Sequence, residues 1–101
     1  MLILKEPVIK VVDVSLGAYS SNTRKINGGI LLHVVVQATT SSTTFDFSIT
    51  DESGIVIKSW TANTGELNEE MYTPVSGILT LDISNSSRDE SFNIYFGIDE
   101  S

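Results

Sequence analysis

The sequence predicts an all-β fold, a single two-sheet antiparallel β-sandwich of about six to eight strands. Three segments alternate between apolar and polar residues, which is the pattern of strands that bury one face. Connections rich in Gly, Asn, Ser and Asp separate the segments, and no segment has a helical period. A chain of 101 residues is long enough for one domain around one hydrophobic core.

The clearest strands lie in "TFDFSIT", "ILTLDIS" and "SFNIYFGI". Two more are predicted, one in "VVDVSL" and one in "ILLHVVVQ", the latter with apolar residues on both faces. The segment 61–77 is predicted to be a long connection. The residues predicted to face the core are Val12, Val14, Leu16, Phe45, Phe47, Ile49, Leu79, Leu81, Ile83, Phe92, Ile94, Phe96 and Ile98.

The stretch "FDFSITDESGIVIKSW", residues 45–60, is predicted to be a hairpin whose register follows from the parity of its inward residues. A three-residue loop, 52–54, puts Asp51 at the first position of a type I turn and Gly54 at a left-handed bulge position. A calcium loop is disfavoured because Asp51 and Glu52 supply only two carboxylates. The predicted pairs are Asp51 with Ile55, Ile49 with Ile57, and Phe47 with Ser59.

This register predicts that Trp60, the only tryptophan, lies on the outward face of the sheet, opposite Asp46. Val56 shares that face, so both side chains are candidates for contact with a partner. The alternative is that the connection 61–77 folds back and covers Trp60.

Residues 1–7 are predicted to be an N-terminal arm or edge segment, and residues 8–101 the sandwich domain. Pro7 supports this division because proline has no N–H to donate to a strand ladder. Residues 1–25 carry four of the six basic side chains against two carboxylates, whereas residues 26–101 carry eleven carboxylates. The excess of carboxylates in residues 26–101 is expected to serve solubility. The sharper hypothesis is that the N-terminal part docks against an acidic partner or a neighbouring copy, through Lys5, Lys10, Arg24 and Lys25.

Composition excludes several classes of function. The net charge of −7 disfavours nucleic-acid binding, since an acidic body repels phosphates. With no cysteine and one histidine, the chain has no thiol nucleophile and no multi-histidine metal site. His33 is expected to be half-buried and hydrogen-bonded, and the carboxylates of "GELNEEM" to form a solvated face. The chain is therefore predicted not to be an enzyme and to need no metal or cofactor.

The C-terminal half, "TGELNEEMYTPVSGILTLDISNSSRDESFNIYFGIDE", resembles the closing strands of small Ig-like and prepeptidase-type β-sandwiches. The whole cysteine-free chain resembles the short β-sandwich proteins that tailed phages build into their virions. The resemblance implies a virion structural protein, a capsid decoration or head–tail accessory subunit. It would be made in the host cytoplasm without a signal peptide, would not bind membranes or nucleic acid, and would assemble with itself and a capsid or tail protein. No functional residue follows from a resemblance at this level.

A carbohydrate-binding β-sandwich module is the alternative function. Its platform would be Trp60 lying coplanar with one or two tyrosines on an open face. An enzyme ranks third, because no nucleophile, base or pairing motif accompanies His33.

Overall fold

The computed structural model describes the backbone of residues 2–100 and the side chains of residues 8–100. Within these residues the secondary structure is eight strands and one turn of 3₁₀ helix, Val14–Leu16, between the first two strands. The strands are β1 (Leu2–Lys10), β2 (Tyr19–Asn22), β3 (Ile26–Ala38), β4 (Thr44–Thr50), β5 (Val56–Thr64), β6 (Glu66–Gly77), β7 (Thr80–Ser84) and β8 (Ser91–Glu100).

The strands form two antiparallel sheets, a first sheet in the order β1-β8-β3-β6 and a second in the order β2-β7-β4-β5. The pairing is nested, with β1 beside β8, β2 beside β7, β3 beside β6 and β4 beside β5. A chain folded as one long hairpin and then rolled into two sheets is a jelly roll, an eight-stranded sandwich. The predicted all-β, two-sheet class is confirmed. Within it, the strand order differs from the four-and-three division of an Ig constant domain.

The core lies between the sheets and consists of aliphatic and phenylalanine side chains. Phe45 of the second sheet and Phe92 of the first meet edge to face, with ring centroids 5.0 Å apart. Burying one such side chain is worth about 1.5–3 kcal/mol, so contact between the sheets is the main source of stability. The largest fully buried side chains are Phe45, Phe47, Phe92, Phe96, Ile26, Leu31, Ile49, Leu79, Leu81, Ile83, Ile94 and Ile98.

The three segments with the cleanest alternation form β4, β7 and β8, and every inward residue predicted for them is buried. All three strands have a neighbour on each side. Two ladders of backbone hydrogen bonds fix such a strand, so its side-chain alternation survives in the structure.

The prediction of a strand in "VVDVSL" is wrong. Residues 11–18 connect β1 to β2, and Val12, Val14 and Leu16 are 60%, 42% and 69% exposed. The cause is Asp13, which caps the 3₁₀ turn by accepting the N–H and hydroxyl of Ser15. Side chain to backbone bonds of this kind offer the chain an alternative to a ladder.

The prediction that 61–77 is a connection is also wrong. These residues complete β5, turn at Gly65 and form β6, which pairs with β3 in the other sheet. The alternation was hidden because β6 is an edge strand. Its inward positions include Glu69, which lies opposite buried Val34. The short strand β2 was missed as well.

The predicted β4–β5 turn is confirmed. The N–H of Asp51 donates to the carbonyl of Ile55 at 2.9 Å, and the N–H of Gly54 donates to the carbonyl of Asp51 at 3.1 Å. Gly54 has φ +90°, the left-handed conformation that glycine adopts most easily.

The predicted register beyond this turn is wrong, because β5 carries two bulges. Because of the first bulge, Ile49 pairs with Lys58 instead of the predicted Ile57, and Phe47 pairs with Trp60 instead of the predicted Ser59. The second makes Phe45 pair with Asn63, and Ala62 in this bulge has φ +56°. A bulge adds one residue to one strand only, so each one reverses the faces of the residues beyond it.

Leu2–Lys10, which include most of the predicted arm, form the edge strand β1 against β8. The register shifts between Glu6 and Ile9, on either side of Pro7. An assembly role for residues 1–7 stays a prediction.

Candidate functional site

Trp60 lies on the core side of the second sheet, so the prediction that it faces outward is wrong. It pairs with Phe47, and the two rings stack at 17° with centroids 6.0 Å apart. Trp60 and Met71 of β6 are both partly buried against the same core. Trp60 is thus a partly buried residue on the core side of the sheet, and its contact with a partner or a sugar stays a prediction.

Val56 is 56% exposed, at the end of the sandwich where two turns meet. The N–H of Ile78 donates to Glu52 Oε1 at 2.8 Å and ties the β6–β7 turn to the β4–β5 turn. Ile55 and Ile78, on these turns, are 64% and 38% exposed. Val56 thus lies among exposed aliphatic side chains at one end of the sandwich, and its role in partner binding stays a prediction.

The structure places Lys10 far from Arg24 and Lys25, at the opposite end of β8. Arg24 forms an ion pair with Glu100 at the end of β8, whereas Lys10 pairs with Ser91 at its start. The 10 residues of β8 put about 30 Å between them. The hydrogen bond from Arg24 lowers the pKa of Glu100. Lys25 is exposed beside Arg24, and the side chain of Lys5 lies outside the described residues.

Sequence reasoning missed an exposed apolar segment, residues 8–16. It includes the end of β1 and most of the link to β2, and we call it the apolar connection. Its side chains Val8, Val12, Val14 and Leu16 are 45%, 60%, 42% and 69% exposed. Three of the four had been assigned to the core because the segment alternates. The turn-forming residues in "VDVSLG" were the available signal against a strand.

Hydrogen bonds fix the backbone of the apolar connection. The Tyr19 hydroxyl accepts the N–H of Asp13 and donates to its carbonyl, both at 2.8 Å. The N–H of Val14 donates to Asp89 Oδ1 at 3.0 Å, which ties the connection to the β7–β8 loop. The hydrogen bonds from Ser15 lower the pKa of Asp13, so the capping carboxylate is ionised at neutral pH. The apolar side chains are therefore displayed from a fixed backbone.

A pocket of about 520 Å³ opens on the outward face of the first sheet, and we call it the outer-face pocket. Its floor is a row across three strands, in which Gln37 of β3 lies directly opposite Asn93 of β8 and Glu66 of β6. Gln37 Nε2 donates to Glu66 Oε1 at 3.0 Å. The pocket is lined by Gln37, Ala38, Thr39, Ser41, Thr64, Gly65, Glu66 and Asn93.

Gly65 holds one wall of the outer-face pocket. Its carbonyl accepts the N–H of Ala38 at 2.8 Å, and its N–H donates to the carbonyl of Thr43 at 2.7 Å. Gly65 has φ +72°, and a Cβ there would lie 2.4 Å from the Ser41 carbonyl oxygen. Only glycine fits this turn, which closes the chain tightly against the β3–β4 loop.

The β3–β4 loop is fixed on its other side by Glu90. Glu90 Oε2 accepts the N–H of Thr40 at 2.9 Å and the hydroxyl of Thr43 at 3.1 Å. Burial acts to raise the pKa of Glu90, but the hydrogen bonds from Thr40 and Thr43 outweigh it and lower the pKa. Both walls of the pocket are thus held in place by the fold.

His33 is half-buried and hydrogen-bonded to Asn68, as predicted. Among the side chains described, those of residues 8–100, no three from His, Cys, Asp or Glu are grouped so that they could hold a metal ion. The same part of the chain contains no helix with the length and apolarity needed to cross a membrane.

Comparison with known proteins extends only to the fold. No protein-family model matches the chain, and no curated protein matches its sequence. The structure is similar to the carbohydrate-binding module CBM36 in complex with calcium and xylotriose, with TM-score 0.45 and 10% identity over 98% of this chain and 100% of that one. It is also similar to the T13 viral particle of IBDV, with TM-score 0.43 and 9% identity over 98% of this chain and 30% of that one.

A third similar structure is the infectious bursal disease virus VP2 subviral particle, with TM-score 0.40 and 11% identity over 98% of this chain and 32% of that one. All three likenesses are consistent with a β-sandwich. Unrelated functions share such folds, so these likenesses carry no functional argument.

Proposed function

We propose that the chain is a non-enzymatic virion structural protein, a capsid decoration or head–tail accessory subunit that acts through protein–protein contacts. The apolar connection carries the contact part of this proposal. The virion context rests on the resemblance of the sequence to the small β-sandwich proteins of tailed phages.

The apolar connection has the chemistry of a protein contact. Contiguous exposed apolar surface marks interaction sites in soluble proteins. Leu16 at 69% exposure lies on a backbone already fixed by Asp13 and Asp89. Binding therefore does not have to order this segment, and less of the contact energy is lost to conformational entropy. A neighbouring copy and a capsid or tail protein are the partners proposed.

Deletion of residues 1–6 is not a clean test of assembly, because residues 2–6 pair with β8 and their removal takes away an edge strand. Substitution on the apolar connection leaves every ladder intact. The double variant Val12→Ser/Leu16→Ser removes two exposed side chains and no backbone bond. Tyr72→Ser, on β6, is the matched control because Tyr72 is 78% exposed and lies outside the connection.

We expect the full chain to self-associate in sedimentation velocity, or to co-sediment with a capsid or tail protein encoded beside it. The double variant should weaken that association at least tenfold, or by about 1.4 kcal/mol, which is less than the burial of one well-packed aliphatic side chain contributes. Tyr72→Ser should leave it unchanged. A chain that is monomeric at every concentration and binds neither protein would overturn the proposal.

The genomic neighbourhood tests the virion context separately. Capsid, portal or tail genes beside this one support a structural role in the particle. A neighbouring gene for a polysaccharide-degrading enzyme contradicts it.

A further inference from the structure

We propose that the outer-face pocket binds a neutral oligosaccharide, with the row of Asn93, Gln37 and Glu66 as its floor. This inference goes beyond the assembly role, because the pocket lies on the face of the first sheet and includes no residue of the apolar connection. It also differs from the sugar platform predicted at Trp60, which belongs to the other sheet.

The floor offers hydrogen-bond donors and acceptors side by side. Gln37 and Asn93 are planar carboxamides, each with a donor end and an acceptor end, and Glu66 has two acceptor oxygens. Neighbouring strands lie about 4.8 Å apart, so the row spans about 10 Å. A sugar presents hydroxyls that donate and accept at once, in adjacent pairs along its edge. That chemistry matches a row of carboxamides and a carboxylate.

Several polar groups of the pocket remain open to a ligand. Among the side chains of residues 8–100, no hydrogen bond engages the Asn93 carboxamide or the hydroxyls of Ser41 and Thr64. Gln37 is held in place by its bond to Glu66, which leaves the second oxygen of that carboxylate available. Pockets that orient small ligands combine a few convergent polar groups in this way.

The charge of the pocket selects against ionic ligands. Its lining contains one carboxylate, Glu66, and neither lysine nor arginine. The whole chain carries −7, so phosphate, sulfate and uronate groups would be repelled. A single carboxylate that already accepts from Gln37 is also a poor site for a cation. Neutral polyhydroxylated ligands are the class that remains.

A less polar surface continues from the pocket along the same face. Tyr95 follows Asn93 by two residues on β8, and Val35 precedes Gln37 by two residues on β3. The two are directly opposite in the ladder and half-exposed. Residues two apart on a strand are about 7 Å apart, so a second sugar ring would lie over Val35 while the first fills the pocket.

The pocket is preformed, which reduces the entropic cost of binding. Gly65 fixes one wall, and Glu90 fixes the β3–β4 loop that forms another. A shallow, open and polar site of this kind is expected to bind weakly, with a Kd of about 0.1–1 mM.

Nitrogen-edited NMR spectra of the full chain test the proposal by titration with cellotriose, xylotriose, mannotriose, maltotriose and chitotriose. At least one sugar should shift the Gly65 backbone amide and the side-chain amides of Gln37 and Asn93. Asn93→Ala should weaken binding about tenfold, by loss of a hydrogen-bonding carboxamide. Asn22→Ala is the matched control, since Asn22 is an exposed carboxamide on the second sheet.

Two outcomes would overturn the proposal. One is the absence of any shift around the pocket with all five sugars at about ten times the expected Kd. The other is that Asn93→Ala impairs self-association while no sugar binds, which would make the pocket a protein contact. Melting curves of both variants confirm that each is folded. Val12→Ser/Leu16→Ser should bind the sugar normally, so failure of the assembly proposal would leave this one standing.

Discussion

β4 and β5 are the two strands of one hairpin, yet they bury their side chains with different periods. β4 alternates residue by residue, whereas the partly buried residues of β5 are Ile57, Trp60 and Asn63, three apart. β4 lies between β7 and β5, and β5 is the edge of the second sheet. A central strand is held by two ladders and an edge strand by one, so bulges are tolerated at the edge. Register in this sandwich therefore depends on the neighbours of a strand as well as on its own sequence.

The bulges also protect the edge against pairing with another chain. They bend and twist β5, which makes its free side a poor template for an added strand. The other edge on that side of the sandwich, β6, uses chemistry instead: Pro74 removes a donor, and Glu69 places a charge on the inward face. Self-association through these two edges is disfavoured, whereas the opposite edges, β1 and β2, are the strands that the apolar connection joins.

The largest effects are expected from removing the paired rings of the two strands. Phe47 is 1% exposed, and Phe47→Ala should lower the free energy of unfolding by about 3–5 kcal/mol. Trp60 is only partly buried, so Trp60→Ala should cost less, about 2 kcal/mol. Urea denaturation measures both values.

Ser48→Ala is the control for this pair, because Ser48 lies between the two bulges and faces outward. It should change stability by no more than about 0.5 kcal/mol. If Trp60→Ala is as stable as Ser48→Ala, the result would support the outward orientation of Trp60 that the sequence predicts. A variant as unstable as Phe47→Ala would place Trp60 fully in the core.

A smaller effect is expected at the second bulge. Asp46 Oδ1 accepts the N–H of Ala62 at 2.8 Å, and its Oδ2 accepts the side chain of Asn85 at 2.7 Å. Asp46→Ala should cost about 1–2 kcal/mol, since hydrogen bonds to a charged group are lost. Hydrogen exchange should become faster at Ala62 while the centre of β4 stays protected. If hydrogen exchange becomes equally faster at the Phe47 amide, the bulge does not open independently of the central strand β4.

The sequence was sufficient for the fold class and for the central strands, because alternation, burial and double pairing agree there. It failed at the edges for a physical reason. The bulge at Ala62 depends on a carboxylate that reaches it across the ladder from Asp46. A sequence pattern cannot show which side chain will meet that amide. The Asp13 cap is local, so "VDVSLG" could have been recognised as a turn.

The candidate sites were harder to predict than the fold. The outer-face pocket brings together Gln37, Glu66 and Asn93 from three strands that are far apart in the chain. Only Glu66 had been noted, as part of a solvated acidic face. Trp60 attracted attention as a lone aromatic residue, but a single inserted residue decides its face, and periodicity does not reveal an insertion.

The smallest effect is expected at the turn that both strands share, where Asp51 is only half-buried. Its carboxylate accepts the N–H and hydroxyl of Ser53, at 2.9 and 2.6 Å, and the N–H of Ile55 at 3.0 Å. These hydrogen bonds, that from the Ser53 side chain first, lower the pKa of Asp51 from 3.8. The folded state thus favours the ionised form. The resulting stability is present above pH 4, roughly the unfolded pKa, and is lost as the pH falls through the lower folded pKa.

Asp51→Asn keeps an acceptor oxygen in the turn and removes the titration. Wild type should be slightly more stable than Asp51→Asn at pH 7, and the difference should shrink as the pH falls and Asp51 becomes protonated. Glu70→Gln, at an exposed carboxylate on β6, is the control substitution, and its stability is measured at the same pH values. A difference that does not shrink in acid would mean that Asp51 acts through the shape of the turn. The central strand β4 would then owe its register at this end to turn geometry, and not to the charge.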